Sequence, residues 1–189
     1  MGLKLDVIFA TSNRHKVEEA KYVLSSYKLN VIPKPVKGLE VQNDDVGEVA
    51  RFAASNIKES SNPIFVEDTG LYVYTLRGFP GAFSAYVFRT IGNEGLLRLV
   101  EKDRSAYFES AVALKLGRHL EVFKGRLHGK IAYAARGSNG FGFDPIFIPD
   151  GESKTLGEMT LEEKCIISHR SKALRMMAEW LVRNAKSVM

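Results

Sequence analysis

One cysteine, Cys165, stands in a chain of 189 residues, so no disulfide can form within it. That thiol and four scattered histidines offer no spacing for a tetrahedral zinc site, which leaves oxygen as the expected donor to any metal. No apolar run approaches the roughly 18 residues that a membrane span needs. The opening MGLKLDVIFA has no basic head, long apolar stretch or small-residue cleavage site of the secretory kind. A cytoplasmic protein with no membrane partner is therefore expected. Repeats, low-complexity tracts and linkers are missing too, and the glycines of 137–142 are too few for a boundary, so residues 1–189 are read as one domain.

What remains is an ordinary soluble composition, 45% hydrophobic and 26% charged, with a net charge of +5 and an isoelectric point near 9.3. The positive balance suits an anionic partner, nucleic acid or a phosphorylated small molecule, and equally suits plain solubility. Strand-like segments rich in Val, Ile and Phe occur at Leu5–Ala10, Leu29–Pro33, Ile64–Glu67 and Leu71–Tyr74. Helical patterns lie between them. Val17, Ala20, Leu24 and Tyr27 recur at steps of three and four, and 46–60 and 94–102 read similarly. Residues 107–131 alternate around a turn at Gly117-Arg118-His119 and predict a long antiparallel hairpin. A last helix from Arg170 to about Asn184 carries Leu174, Met177 and Leu181 on one face, with Met177 and Trp180 read as core. The alternation predicts a single elongated α/β domain with a mixed sheet.

Four stretches carry chemistry. Thr11-Ser12-Asn13-Arg14, with Lys16 just beyond, sits where the first strand meets the first helix. The free N–H groups and positive dipole of a helix start attract phosphate, although Ser12 or Asn13 could equally be a simple cap. The turn has neither Walker A nor G-x-G-x-x-G spacing. In "IFVEDTGLYV", Glu67 and Asp68 precede Thr69-Gly70. Adjacent side chains on a strand point opposite ways, so both carboxylates serve one site only if the chain turns at the glycine. Carboxylates beside phosphate suit Mg²⁺, which takes one or two of them plus waters and phosphate oxygens. Glu40 is a further acid, with Asp44 and Asp45 nearby as helix-capping or metal-binding competitors. "GSNGFGFDPIF" displays Phe141 and Phe143 around Gly142, followed by Asp144, a loop on which a base could stack. Finally, Lys164 and Ser168-His169-Arg170 bring cations to the last helix, with Ser168 a plausible cap. Phosphate donors, acids for a metal, an aromatic shelf and more cations make an inventory for a nucleoside triphosphate.

T-S-N-R-H-K at 11–16, V-E-D-T-G at 66–70, G-F-P-G at 78–81, F-G-F-D-P at 141–145, and E-E-K with S-H-R across 162–170 occur in one order along nearly the whole chain. In these motifs it resembles the inosine triphosphate pyrophosphatase family. The resemblance implies Mg²⁺-dependent hydrolysis of ITP, dITP and XTP to the monophosphate and pyrophosphate by a homodimer. It also implies a long central mixed sheet flanked by helices, with two lobes around a nucleotide cleft. It assigns Thr11, Asn13 and Lys16 to the triphosphate, Glu40 and Asp68 to the metal, and Asp68 to acid-base catalysis with Glu67 beside it and Lys16 on the leaving group. Phe141, Phe143 and Asp144 match the base-binding loop, and Lys164, His169 and Arg170 the far wall; Ser12, Thr69, Gly142 and Ser168 adjoin them. Two positions depart from the family pattern: Phe143 replaces a more polar aromatic, and Ser55 stands where many members carry a lysine. A pyrophosphatase for other modified or ordinary triphosphates would use the same phosphate groups with another base pocket. A basic nucleic-acid binder would leave Glu40, Glu67 and Asp68 unexplained.

Overall fold

The computed structural model describes residues 5–35, 41–58 and 60–188. The apolar stretch LDVIFA forms β1 (Leu5–Ala10), and Asn13 starts α1 (Arg14–Ser25), whose Ala20, Val23 and Leu24 are buried. The chain returns through β2 (Leu29–Lys34), parallel to β1. Asp45 caps α2 (Val46–Ser55), which leads to β3 (Ile64–Val73), parallel to β1 on its other side. The short β4 (Pro80–Gly81) folds back on β3 and feeds α3 (Ser84–Leu99). The long hairpin of β5 (Ser105–Leu116) and β6 (His119–Ile131) follows, then β7 (Phe147–Pro149), α4 (Leu161–Ile167) and α5 (His169–Val188). The strands make one mixed sheet in the order β2-β1-β3-β5-β6-β7, with β4 attached to β3. This is the single α/β domain with a central mixed sheet that the sequence predicts.

The parity of β3 organises the interior. One of its faces reads Phe65, Glu67, Thr69, Leu71, Val73. Phe65 joins a core with Val7, Phe9, Leu114 and the buried sides of α1 and α5, including Leu174 and Met177. Leu71 and Val73 join another, with Val87, Leu96, Phe108 and Ile146. The polar middle of the strand lies between two apolar cores. On the opposite face, Val66 packs with Ala111 and Ala113 against Val46, Ala50 and Ala54 of α2.

Three sequence expectations change. β3 runs unbroken from Ile64 to Val73 instead of turning at Gly70, because each of its ten residues pairs with β5. A Cβ on Gly70 would lie 2.6 Å from the Gly81 carbonyl, so this glycine admits β4 rather than a turn. α2 ends at Ser55, where Asn56 caps it, not at 60. The helix expected from Glu94 is the second piece of α3, which breaks at Gly92 (φ 61°, ψ −164°) and begins ten residues earlier. The 107–131 hairpin, its Gly117 turn and the buried Met177 are as read.

α5 lies directly on β6 at Gly125, where a Cβ would stand 2.2 Å from the His169 carbonyl and 2.7 Å from the Ala173 nitrogen. Both obstacles are backbone, so Gly125→Ala must displace the start of α5. Overpacking of this kind costs about 1–3 kcal/mol, or several degrees in Tm for a chain of this size. Thermal unfolding followed by circular dichroism should show that drop, whereas an unchanged Tm would mean that α5 slides freely on the sheet.

Candidate active site

The start of α1 is built by its own polar residues. Asn13 caps the helix, its side-chain oxygen accepting from Lys16 N at 3.2 Å, and Thr11 Oγ1 accepts from Asn13 N at 3.1 Å. The N–H groups of Arg14 and His15 are left without a protein acceptor among the described residues. Ser12 is exposed beside them. Lys16 reaches from the first turn to β3, its Nζ lying 3.1 Å from the Glu67 carbonyl and 2.8 Å from Glu67 Oε2.

From Glu67 a chain of alternating charges runs inward. Glu67 Oε1 accepts from Arg170 Nε at 3.1 Å and, in close contacts, from the hydroxyls of Thr69 and Ser110. Arg170 Nη1 donates to Glu19 Oε2 at 2.7 Å, and its Nη2 to Thr69 Oγ1 at 3.2 Å. Lys164 Nζ joins Glu19 Oε1 at 2.8 Å to Asp144 Oδ2 at 2.6 Å. Three cations thus alternate with three acids, all but Lys16 almost wholly buried. Burial opposes the charge on Glu67, but Arg170 and then Lys16 outweigh it and hold its carboxyl far below the usual range. Glu19 is lowered against burial by Arg170 and Lys164. Asp144 moves the other way, because burial exceeds the pull of Lys164. Lys164, despite burial, is raised by Asp144 and Glu19.

Phe141 covers this chain. Its ring centre lies 5.1 Å from Lys164 Nζ and 5.2 Å from the Arg170 guanidinium carbon, and His15 stacks against it at 5.3 Å. The loop is held from within, since Asp144 also accepts from Phe141 N at 2.8 Å. Gly142 sits in the left-handed region at φ 62° with open space around its α-carbon. A cavity of about 450 Å³ opens nearby between His15, Glu19, Asn139, Thr160 and Lys164.

Asp68 looks out on the other side of the sheet. It lines a cavity of about 650 Å³ together with Ala10, the α2 residues Val49, Ala50 and Ala53, and residues at the start of α3. Among the described residues, no group of three or more His, Cys, Asp or Glu is placed to hold a metal ion. A cation that takes one or two carboxylates and otherwise water or phosphate oxygen fits Asp68, whereas one needing a full cage of side chains does not. The other expected ligand, Glu40, lies outside the described residues.

The sequence profile of the Ham1 family matches residues 7–180. The chain belongs to the Ham1 family. A relative from Thermococcus kodakarensis named dITP/XTP pyrophosphatase is 49% identical over 181 residues, covering 94% of this chain and 98% of that protein. One of the same name from Hyperthermus butylicus is 48% identical over 178 residues, with 93% and 94% covered. The solved structure of a HAM1 protein from Coxiella burnetii superposes with a TM-score of 0.82 at 29% identity, over 95% of this chain and 99% of that one.

Within this Ham1 fold, Thr11, Asn13, Lys16, Glu67, Thr69, Phe141, Asp144, Lys164 and Arg170 converge. Ser168, fully buried, accepts from Ser171 N at 3.1 Å and so caps α5 as the sequence suggested. His169 is buried against Phe108, ring centres 4.6 Å apart, with Nδ1 unpartnered. Phe143 does not face the others; it is 3% exposed and meets Phe88 edge-on. Asp68 is separated from Glu67 by the sheet itself, so the two acids do not share one site through a turn. Glu19 and Ser110 escaped the sequence reading. Glu19 had a signal: it lies four residues before Val23, on the buried side of α1, where an acid demands a cationic partner.

Glu19→Gln would leave Lys164 and Arg170 one charge short in a dry site, at a cost of about 3–5 kcal/mol. Denaturant unfolding checks this, and a loss under 1 kcal/mol would mean that water reaches the network. His169 is held well below the ordinary imidazole value of 6.5, first by burial and then by Arg170 and Lys164. Its neutral form stabilises the fold above about pH 6.5, and that contribution is lost as pH falls, because the unfolded chain takes the proton first. The Tm of the natural chain should therefore fall between pH 7.5 and 5.5 more steeply than that of His169→Gln; parallel curves would show that His169 is solvated.

Proposed function

We propose that this chain hydrolyses deaminated purine nucleoside triphosphates, ITP, dITP and XTP, to the monophosphate and pyrophosphate. The observation that carries the reading is that an anion-binding helix start, with Lys16 held to β3 at Glu67, and Asp68, the next residue of β3, both lie just past the end of β1. The names of the relatives support the same reaction. The N–H groups of Arg14 and His15, with Ser12 and the side chains of Thr11 and Asn13, receive phosphate oxygens. Lys16 keeps one ammonium N–H beyond the two that face Glu67, and this hydrogen neutralises charge on the departing pyrophosphate. Glu67, ion-paired with Lys16 and Arg170 and accepting from two hydroxyls at Oε1, positions Lys16 and Arg170 rather than taking a proton. Asp68 orients a water and accepts its proton as the water attacks phosphorus. A divalent ion, Mg²⁺ in our reading, would be held by Asp68 with Glu40 and would supply charge neutralisation on the phosphate oxygens.

The base stacks on Phe141. Arg170 has five N–H donors and uses three on Glu19, Glu67 and Thr69, leaving two for the 6-oxo group of hypoxanthine or xanthine. Adenine offers a 6-amino group there and leaves a buried donor unpaired, the arrangement that discriminates by roughly 10⁴ or more. Lys164, Ser168, His169 and Asp144 shape the wall behind, with Gly142 letting the loop bend and Phe143 backing it. The aromatic rings of Phe79, Phe83 and Tyr86 around β4, 39–62% exposed, would meet their copies in a homodimer. We place the enzyme in the cytoplasm, with neither membrane nor nucleic acid as partner.

Pyrophosphate release from ITP, XTP, dITP, GTP and ATP, with Mg²⁺ and with chelator, tests the reading. Metal-dependent release from ITP and XTP far above ATP is the expected result; equal rates on all bases would discard the roles of Arg170 and Phe141. Asp68→Asn should lower kcat by roughly 10²–10⁴ with Tm retained, and near-normal turnover would move the base elsewhere. Light scattering of the natural chain should report a dimer, and Tyr86→Glu a monomer.

A further inference from the structure

The cavity beside Asp68 has an apolar floor and wall, made by Ala10, Val66 and the α2 residues Val49, Ala50 and Ala53. Glu67 also borders it, but its carboxylate is turned to the opposite face of the sheet, toward Arg170 and Lys16. Among the described residues, that leaves Asp68 and, from α3, Arg89 as the charged residues lining the space. Among the described residues Arg89 is the only cation lining this cavity, and no hydrogen bond, ion pair or ring contact holds it. α2 offers no lysine at all, and its single arginine, Arg51, is spent on Glu48 at 3.4 Å.

We infer that Arg89 binds the terminal phosphates of the substrate, and then the departing pyrophosphate, across the cavity from Asp68. The inference rests on the pyrophosphatase reading above and deepens it. A triphosphate brings several negative charges into a cleft with apolar walls, where charge without a counterion is costly. Lys16 is already shared with Glu67, and the start of α1 serves one end of the polyphosphate. The far end needs a donor from the other side. A guanidinium suits it, because its planar fork matches two phosphate oxygens at once and stays charged at any working pH. Arg89 also stands a few residues ahead of the break at Gly92, at the end of the first helical piece of α3, so its backbone is fixed while its exposed side chain is free to swing inward.

Calorimetric titration of Mg²⁺-pyrophosphate into the natural chain, Arg89→Ala, Arg89→Lys and the control Arg98→Ala tests this without nucleotide or turnover. Loss of a charge-assisted hydrogen bond to phosphate should weaken binding roughly 10- to 100-fold in Arg89→Ala. Arg89→Lys should recover part of it, Arg98→Ala should match the natural chain, and the KM for ITP should rise in parallel with the pyrophosphate Kd. Tm should not change, since Arg89 is exposed. Equal pyrophosphate affinity in the natural chain and Arg89→Ala overturns the inference. ITP turnover by the natural chain is read separately. Turnover with an indifferent Arg89 removes this residue and leaves the pyrophosphatase reading standing. No turnover, but Arg89-dependent pyrophosphate binding, keeps the anion site and removes that reading.

Discussion

The ion pair between Arg170 and Glu67, continued to Glu19, is the contact on which the site's geometry depends. Taking charges this far out of water is expensive, and the expense is offset only when every charge finds an opposite one in good geometry. Here the groups alternate from Asp144 through Lys164, Glu19, Arg170 and Glu67 to Lys16. They come from five separate stretches of chain, with Lys16 and Glu19 three residues apart along α1. The positions of α1, α4, α5 and the 141–144 loop relative to β3 are therefore coupled, since moving any one of them strands a charge.

The sheet explains why such a polar chain is tolerated. On the face that carries it, β3 contributes apolar residues at both ends and Glu67 and Thr69 in the middle, so the network occupies a seam between two hydrophobic cores instead of interrupting one. Ser110 on the neighbouring strand, directly opposite Thr69, completes the seam. The same alternation sends Asp68 to the other face, into a cavity with apolar walls. The two adjacent acids consequently live in different environments. Glu67 is locked by cations and serves as an anchor; Asp68 lines the cavity on the other face.

α3 links this cavity to the rest of the molecule. Its break at Gly92 separates a piece that borders the cavity from a piece that packs Leu96 into the second core. The piece nearest the cavity carries the exposed rings of Tyr86 and Phe88 together with the exposed Arg89.

Most of the elements could be read from local pattern. LDVIFA, the 3.6-residue stripe of α1 and the alternating hairpin around Gly117 each announce themselves within a dozen residues, and the ordered motifs point to the Ham1 family before any coordinate is known. Periodicity is a short-range property, which is why it succeeded there. It failed at β3, where Gly70 suggests a turn but pairing with β5 across the whole strand and the close approach of Gly81 decide otherwise. It was silent about Glu19, which meets Arg170 across 151 positions of chain and Lys164 across 145. Residue types and their order were thus set by the sequence itself. Which acid is buried as an anchor and which faces a cavity was settled only in three dimensions, because strand parity and long-range charge pairing exist only once the sheet has formed.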